Sequence, residues 1–250
     1  MTNHRLIFGT GASAAKSINE LNLLVEEAIT DGITSFDTAP SYHTERILSE
    51  AIKNAEDKKL IERGNIYIQS KIDAWQMEES NGEIQKYVEK ALEMMEIDYL
   101  DALLIHWPIP EYLDMTWKSM MDLQKRGIVK KIGICNVRIR HLKSMMKWDE
   151  FPSIIQIERN PLRICEDERQ FCLENQIELQ AYSPLCKMDD RIKNNPEIQK
   201  IANKYNLNVG QIVMRWHLDT EVSPIFTSTK PFSPPAHLLT SLNYAKISKI

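Results

Sequence analysis

Eight short apolar runs, separated by longer amphipathic stretches, constrain this chain more than any other feature. The runs occupy residues 6–8, 33–36, 66–68, 102–105, 132–135, 154–157, 177–181 and 222–226. Between them the apolar residues recur at helical spacing: Leu21, Leu24, Val25, Ala28 and Ile29 share one face, as do Ile84, Val88, Ala91, Leu92 and Met95. Ser17 with Glu20 three residues later reads as a helix start. Gly32 and Gly127 stand where a helix ends and a strand follows. Repeated strand–helix units predict a parallel sheet, and eight strands are the number that closes it into a (β/α)8 TIM barrel. No linker-like stretch divides the chain, so residues 1–250 read as a single domain. The Pro-rich stretch 227–235 reads as a loop after the last strand.

Charge and composition exclude several classes. The 31 basic and 35 acidic residues give a net charge of −4, with no basic stripe for nucleic acid and no polybasic membrane anchor. No apolar run approaches the ~20 residues of a membrane-spanning helix. The first residues lack a signal-peptide pattern, and a cytoplasmic location is expected. Cys135, Cys165, Cys172 and Cys186 form no C-x-x-C pair, so free thiols are expected and no metal site.

In a parallel barrel the chemistry sits where strands end. Asp37 ends the second run, Tyr42 follows in its loop, Lys71 ends the third run and His106 ends the fourth. Consecutive strands lie about 5 Å apart, which brings the four together. A phenol with a pKa near ~10 is a weak acid at neutral pH, and a nearby lysine ammonium lowers that value. Aspartate can hold the lysine, and histidine can orient a carbonyl or the phenol. Such a set protonates an oxygen while hydride arrives at carbon, and hydride requires a cofactor. The catalytic set is therefore read as Tyr42, Asp37, Lys71 and His106. Taken singly, each has a plain structural explanation; the ordered set at strand ends is what carries the reading.

These segments resemble a known family. Asp37-Thr38-Ala39-Pro40-Ser41-Tyr42, then Ser70-Lys71, then Ile105-His106-Trp107-Pro108, are similar to the signatures of aldo-keto reductases. The similarity continues through Gly133-Ile134-Cys135-Asn136, Gln156-Ile157-Glu158, Tyr182-Ser183-Pro184-Leu185 and Met214-Arg215-Trp216. The resemblance implies NAD(P)H-dependent reduction of an aldehyde or ketone to an alcohol, with Tyr42 as proton donor. It implies that Asn136 and Gln156 bond the nicotinamide carboxamide and that Tyr182 stacks on the ring. It implies that Ser183, Leu185 and Ser228 contact the rest of the cofactor. Trp75 and Trp107, with the loop around Tyr112, are candidates to line the substrate pocket.

The chain departs from the family pattern in three places. Cys135 replaces a serine, Ile225-Phe226-Thr227-Ser228 lacks a lysine, and His237, Thr240 and Ser241 replace the block that grips the adenine end. Neutral histidine is a poorer phosphate clamp than arginine, although Lys230 is nearby. The expected cofactor is NADP(H) ahead of NAD(H), with dual use open. The altered block also motivates an alternative, a weakly catalytic or non-catalytic cofactor-binding, regulatory barrel. The expected partner is a small carbonyl compound, and the motifs assign no oligomeric state. Gly9-Thr10-Gly11-Ala12-Ser13-Ala14 matches a dinucleotide-fold fingerprint, a rival that leaves the later motifs unexplained.

Overall fold

A computed structural model describes residues 4–11, 17–145 and 150–227. Eight parallel strands close into a barrel in sequence order. The first half of the chain runs β1 (Ile7–Gly9), α1 (Ile18–Thr30), β2 (Ser35–Asp37), α2 (Glu45–Asp57), β3 (Tyr67–Ile72), α3 (Ala74–Glu79), α4 (Gln85–Met95) and β4 (Leu100–Ile105). The second half runs α5 (Pro110–Lys125), β5 (Val129–Cys135), α6 (Ile139–Met145), β6 (Ile154–Glu158), α7 (Glu166–Glu174), β7 (Glu178–Tyr182), α8 (Asp190–Lys193), α9 (Pro196–Tyr205), α10 (Val209–Asp219) and β8 (Ser223–Phe226). Closure is made by β1 against β8, with Ile7 opposite Ile225. The barrel thus replaces the doubly wound rival suggested by the glycines after β1. No helix of the described residues is long and apolar enough to cross a membrane.

Two apolar layers follow from the period of two along each strand. Phe36, Ile68, Leu103, Ile132, Ile155 and Leu179 belong to the large cluster that also holds Leu21, Val25, Leu48 and Val88 of the helices. Tyr67, Ala102, Leu104, Cys135 and Ile154 form a separate small cluster, the barrel filling. Helix ends fit their residues. Ser17 accepts from the Glu20 amide at the start of α1. Gly32 and Gly127 have φ of +84° and +75°. After each, a six-residue hydrogen bond closes the helix, Ile33 to Ala28 at 2.8 Å and Ile128 to Leu123 at 3.0 Å.

One strand is longer than its apolar run. β3 continues through Gln69, Ser70 and Lys71 to Ile72, which places Lys71 near its end as expected. The inner face tolerates these polar groups because they satisfy one another: the Gln69 amide donates to Asp37 at 2.6 Å and to Gln180 at 2.8 Å. Ser70, on the other face, donates to Glu45 of α2 at 2.7 Å. Gly9 packs closely, since a Cβ there would lie 3.0 Å from the Ile225 side chain of β8.

Candidate active site

The four groups converge at the C-terminal end of the barrel. β2 and β3 pair with Asp37 opposite Gln69, which sets Lys71 one inward position beyond. Lys71 is fully enclosed, and its ammonium lies 2.7 Å from both oxygens of Asp37. It also donates to the Thr38 carbonyl at 3.0 Å and to the Tyr42 hydroxyl at 3.3 Å. Tyr42 ends a one-turn 3-10 segment, Pro40–Tyr42, opened by proline. Its hydroxyl is 3.4 Å from His106 Nε2, and the two rings meet edge to face at 5.6 Å. His106 follows directly on β4.

Electrostatics here run partly against expectation. Burial pushes the Tyr42 phenol up to about 12; the Lys71 charge opposes this and the Asp37 charge adds to it. Lysine therefore lowers the value as expected, but desolvation outweighs it. Burial disfavours the Lys71 ammonium too, yet the Asp37 carboxylate wins and its pKa rises. The pair is thus a closed ion pair that offers Tyr42 one N–H.

Asp73 is a member of the site that the residue pattern alone did not single out. It lies two positions after Lys71 and caps α3, with Gln76 completing a capping box. Its carboxylate accepts from the Ser41 amide at 2.8 Å and the Ser41 hydroxyl at 3.1 Å. Its Oδ1 is 2.5 Å from His106 Nδ1. Burial would raise the Asp73 pKa, but the bonds from His106 and Ser41 outweigh it and hold it below the usual value. The Asp-x-x-Gln spacing was the available sequence signal.

A cavity of about 550 Å³ opens over these groups and is lined by Tyr42, His106, Trp107, Asn136, Gln156 and Tyr182 among others. That volume suits a small ligand or part of a larger one. Gln156 donates its amide to Asp37 and to Gln180, both at 3.1 Å, which leaves its carbonyl for the cavity. Asn136 donates to the His106 carbonyl at 2.9 Å and accepts from the Tyr182 hydroxyl at 2.8 Å, keeping one amide hydrogen. One acceptor and one donor are what a primary carboxamide complements, so the residues fit a nicotinamide. The bond to Asn136 also fixes the Tyr182 ring. Ser183 and Leu185 line the same cavity. Beyond them Cys186, Lys187 and Met188 all adopt left-handed backbone, at a cost of about 1–2 kcal/mol per residue.

Other expected residues fall elsewhere. Trp107 reaches the cavity rim and is half exposed, whereas Trp75 is not among the lining residues and packs edge-on against Tyr87 at 5.5 Å. Tyr112 is partly buried against the main core. Cys135 is buried, which drives its thiol pKa strongly up and keeps it protonated. All four cysteines are free. Ser228, Lys230, His237, Thr240 and Ser241 lie outside the described residues. Among the described residues no His/Cys/Asp/Glu group could hold a metal ion. A second cavity of about 520 Å³, lined by Arg5, Lys131 and Arg169, contains none of the groups above.

The model of the Aldo/keto reductase family matches residues 5–249. The glyoxal reductase of Bacillus subtilis is 33% identical over 224 residues, 89% of this chain and 78% of that protein. The methylglyoxal reductase of Escherichia coli K12 is 32% identical over 218 residues, 86% of this chain and 76% of that one. Among solved structures, a Bombyx mori aldo-keto reductase in complex with NADP superposes with a TM-score of 0.83 at 29% identity, covering 90% of this chain and 80% of that one.

Proposed function

The chain belongs to the aldo/keto reductase family, and on that footing we propose that it reduces a small aldehyde or ketone with Tyr42 delivering the proton. It is an NAD(P)H-dependent oxidoreductase acting on carbonyl compounds. The observation that carries the assignment to Tyr42 is its position at the cavity floor, 3.3 Å from a fully buried lysine ammonium and 3.4 Å from His106.

A bound nicotinamide supplies the hydride to the carbonyl carbon. The protein's own groups do the rest. Asp37 keeps Lys71 charged and in place, so that one Lys71 N–H always points at the Tyr42 oxygen. That bond strengthens as the phenol gives up its proton, which is where stabilisation accelerates the reaction. His106 holds the second side of the phenol. Gln156 and Asn136 would hold the carboxamide, and Tyr182, fixed by its bond to Asn136, would lie against the ring. Ser183 and Leu185, which line the same cavity, would add to the cofactor contacts. Trp107 lines the entrance on the substrate side.

We favour NADP(H), the cofactor in the neighbouring Bombyx mori structure, with NADH accepted as well because His237 stands where a phosphate-gripping arginine is expected. The compounds to try first are α-dicarbonyls, since two relatives are named as glyoxal and methylglyoxal reductases. Loss of NADPH absorbance with methylglyoxal, glyoxal and simple aldehydes tests the reading. Turnover of at least one is expected; none across the panel, with cofactor bound, would favour a non-catalytic cofactor-binding barrel.

A further inference from the structure

We propose that Asp73 is a positioning residue of the reaction: its carboxylate fixes a proton on His106 Nδ1, so that Nε2 meets the Tyr42 hydroxyl as an acceptor. The proposal rests on the reading of Tyr42 as proton donor. Its basis is the order of donors and acceptors along one chain of contacts. Lys71 has only donors, so the Tyr42 oxygen accepts from it at 3.3 Å. The hydroxyl's own proton then points to its other neighbour, His106 Nε2 at 3.4 Å. That requires Nε2 to carry a lone pair and Nδ1 to carry the hydrogen. Nδ1 faces the Asp73 carboxylate at 2.5 Å, which can only accept. Asp73 is itself held by two donors from Ser41, the residue before Tyr42, so the same turn that presents the phenol also clamps the carboxylate. Each hydrogen in the row from Lys71 to Asp73 has one place to go.

During reduction the Tyr42 proton passes to the substrate oxygen and the electron pair of that O–H bond stays on the phenol oxygen, which the Lys71 N–H meets at 3.3 Å until water returns a proton. Before that step the Nε2 lone pair holds the direction of the hydroxyl. A hydrogen on Nε2 would instead point at the phenol oxygen beside the Lys71 N–H and turn the hydroxyl away.

Asp73→Asn tests the inference. The Ser41 amide can only donate, so the new side chain turns its carbonyl there and its NH2 towards Nδ1, forcing the hydrogen onto Nε2. Nitrogen spectra of isotope-labelled histidine at alkaline pH, without cofactor, read the tautomer directly. The wild type is expected with Nδ1–H and the variant with Nε2–H. Turnover in reduction is expected to fall at least about tenfold, as for a misplaced general acid–base group, while cofactor affinity by fluorescence stays unchanged. Asparagine caps a helix as aspartate does, so α3 should persist; Asp73→Ser also keeps a cap, cannot reach Nδ1, and should show the same loss. Nε2–H in the wild type, Nδ1–H retained in Asp73→Asn, or full turnover in both variants would overturn the proposal. Retained turnover in Tyr42→Phe would instead remove the proton-donor reading and leave the tautomer result standing.

Discussion

Lys71 shows how much one side chain carries. It is buried on all sides, and only the Asp37 carboxylate, one carbonyl and one phenol meet its charge. Lys71→Met would leave Asp37 as an enclosed carboxylate without its cation. Such a loss costs about 3–5 kcal/mol, and the urea midpoint should fall accordingly; an unchanged midpoint would mean that the pair is not closed to solvent. Asp73 gives a pH prediction with a definite sign. Its folded pKa lies below the ordinary value, so its contribution to stability is complete above the unfolded carboxylate value and fades as pH falls through the lower folded one. Asp73→Asn should therefore flatten the acid limb of a stability–pH curve. Asp37, Tyr42, Lys71 and His106 were legible in the sequence because each is a reactive type at or just past an apolar run. Asp73 was not, because an aspartate before a helix already has a sufficient reason to be there as a cap.

Among the strands and helices, two glycines make contrasting demands. Gly127 ends α5 at φ +75°, with nothing within 4 Å of the place a methyl group would take. Gly127→Ala meets only backbone strain, about 1 kcal/mol, a Tm loss of about 2–4 °C in a chain of this size. Gly133 lies inside β5, where a Cβ would come 2.6 Å from the Ile154 carbonyl oxygen of β6. Gly133→Ala must push two paired strands apart and should lower Tm clearly more; equal losses would contradict this packing. All eight strands were visible as apolar runs because their outward faces are buried beneath helices. The end of β3 stands out less, because Gln69 and Lys71 carry polar side chains into the barrel interior and break the apolar run. The strained turn Cys186–Met188 has no sequence signal, since none of its residues is glycine or asparagine.

Across the barrel as a whole, closure is what makes four residues between positions 37 and 106 a single site. β1, β2, β3 and β4 are neighbours in the wall, and Gln156 and Gln180 of β6 and β7 reach across the interior to the Asp37 end. Proton donor and cofactor-facing amides therefore share one polar network. By the family resemblance, the adenine end of the cofactor is assigned to the segment that holds His237, Thr240 and Ser241. With His237 where the resemblance expects an arginine, kcat/KM for NADPH should exceed that for NADH by less than about a hundredfold, below the ~2.7 kcal/mol that separation represents; a larger ratio would point to another cation, such as Lys230, as the phosphate partner. The central reading of this site is proton delivery by Tyr42, and Tyr42→Phe probes that step when turnover and cofactor binding are measured on the same preparation. A fall in kcat of about 10²–10⁴-fold is expected, with cofactor affinity retained. Turnover near the wild-type rate would contradict proton delivery by Tyr42.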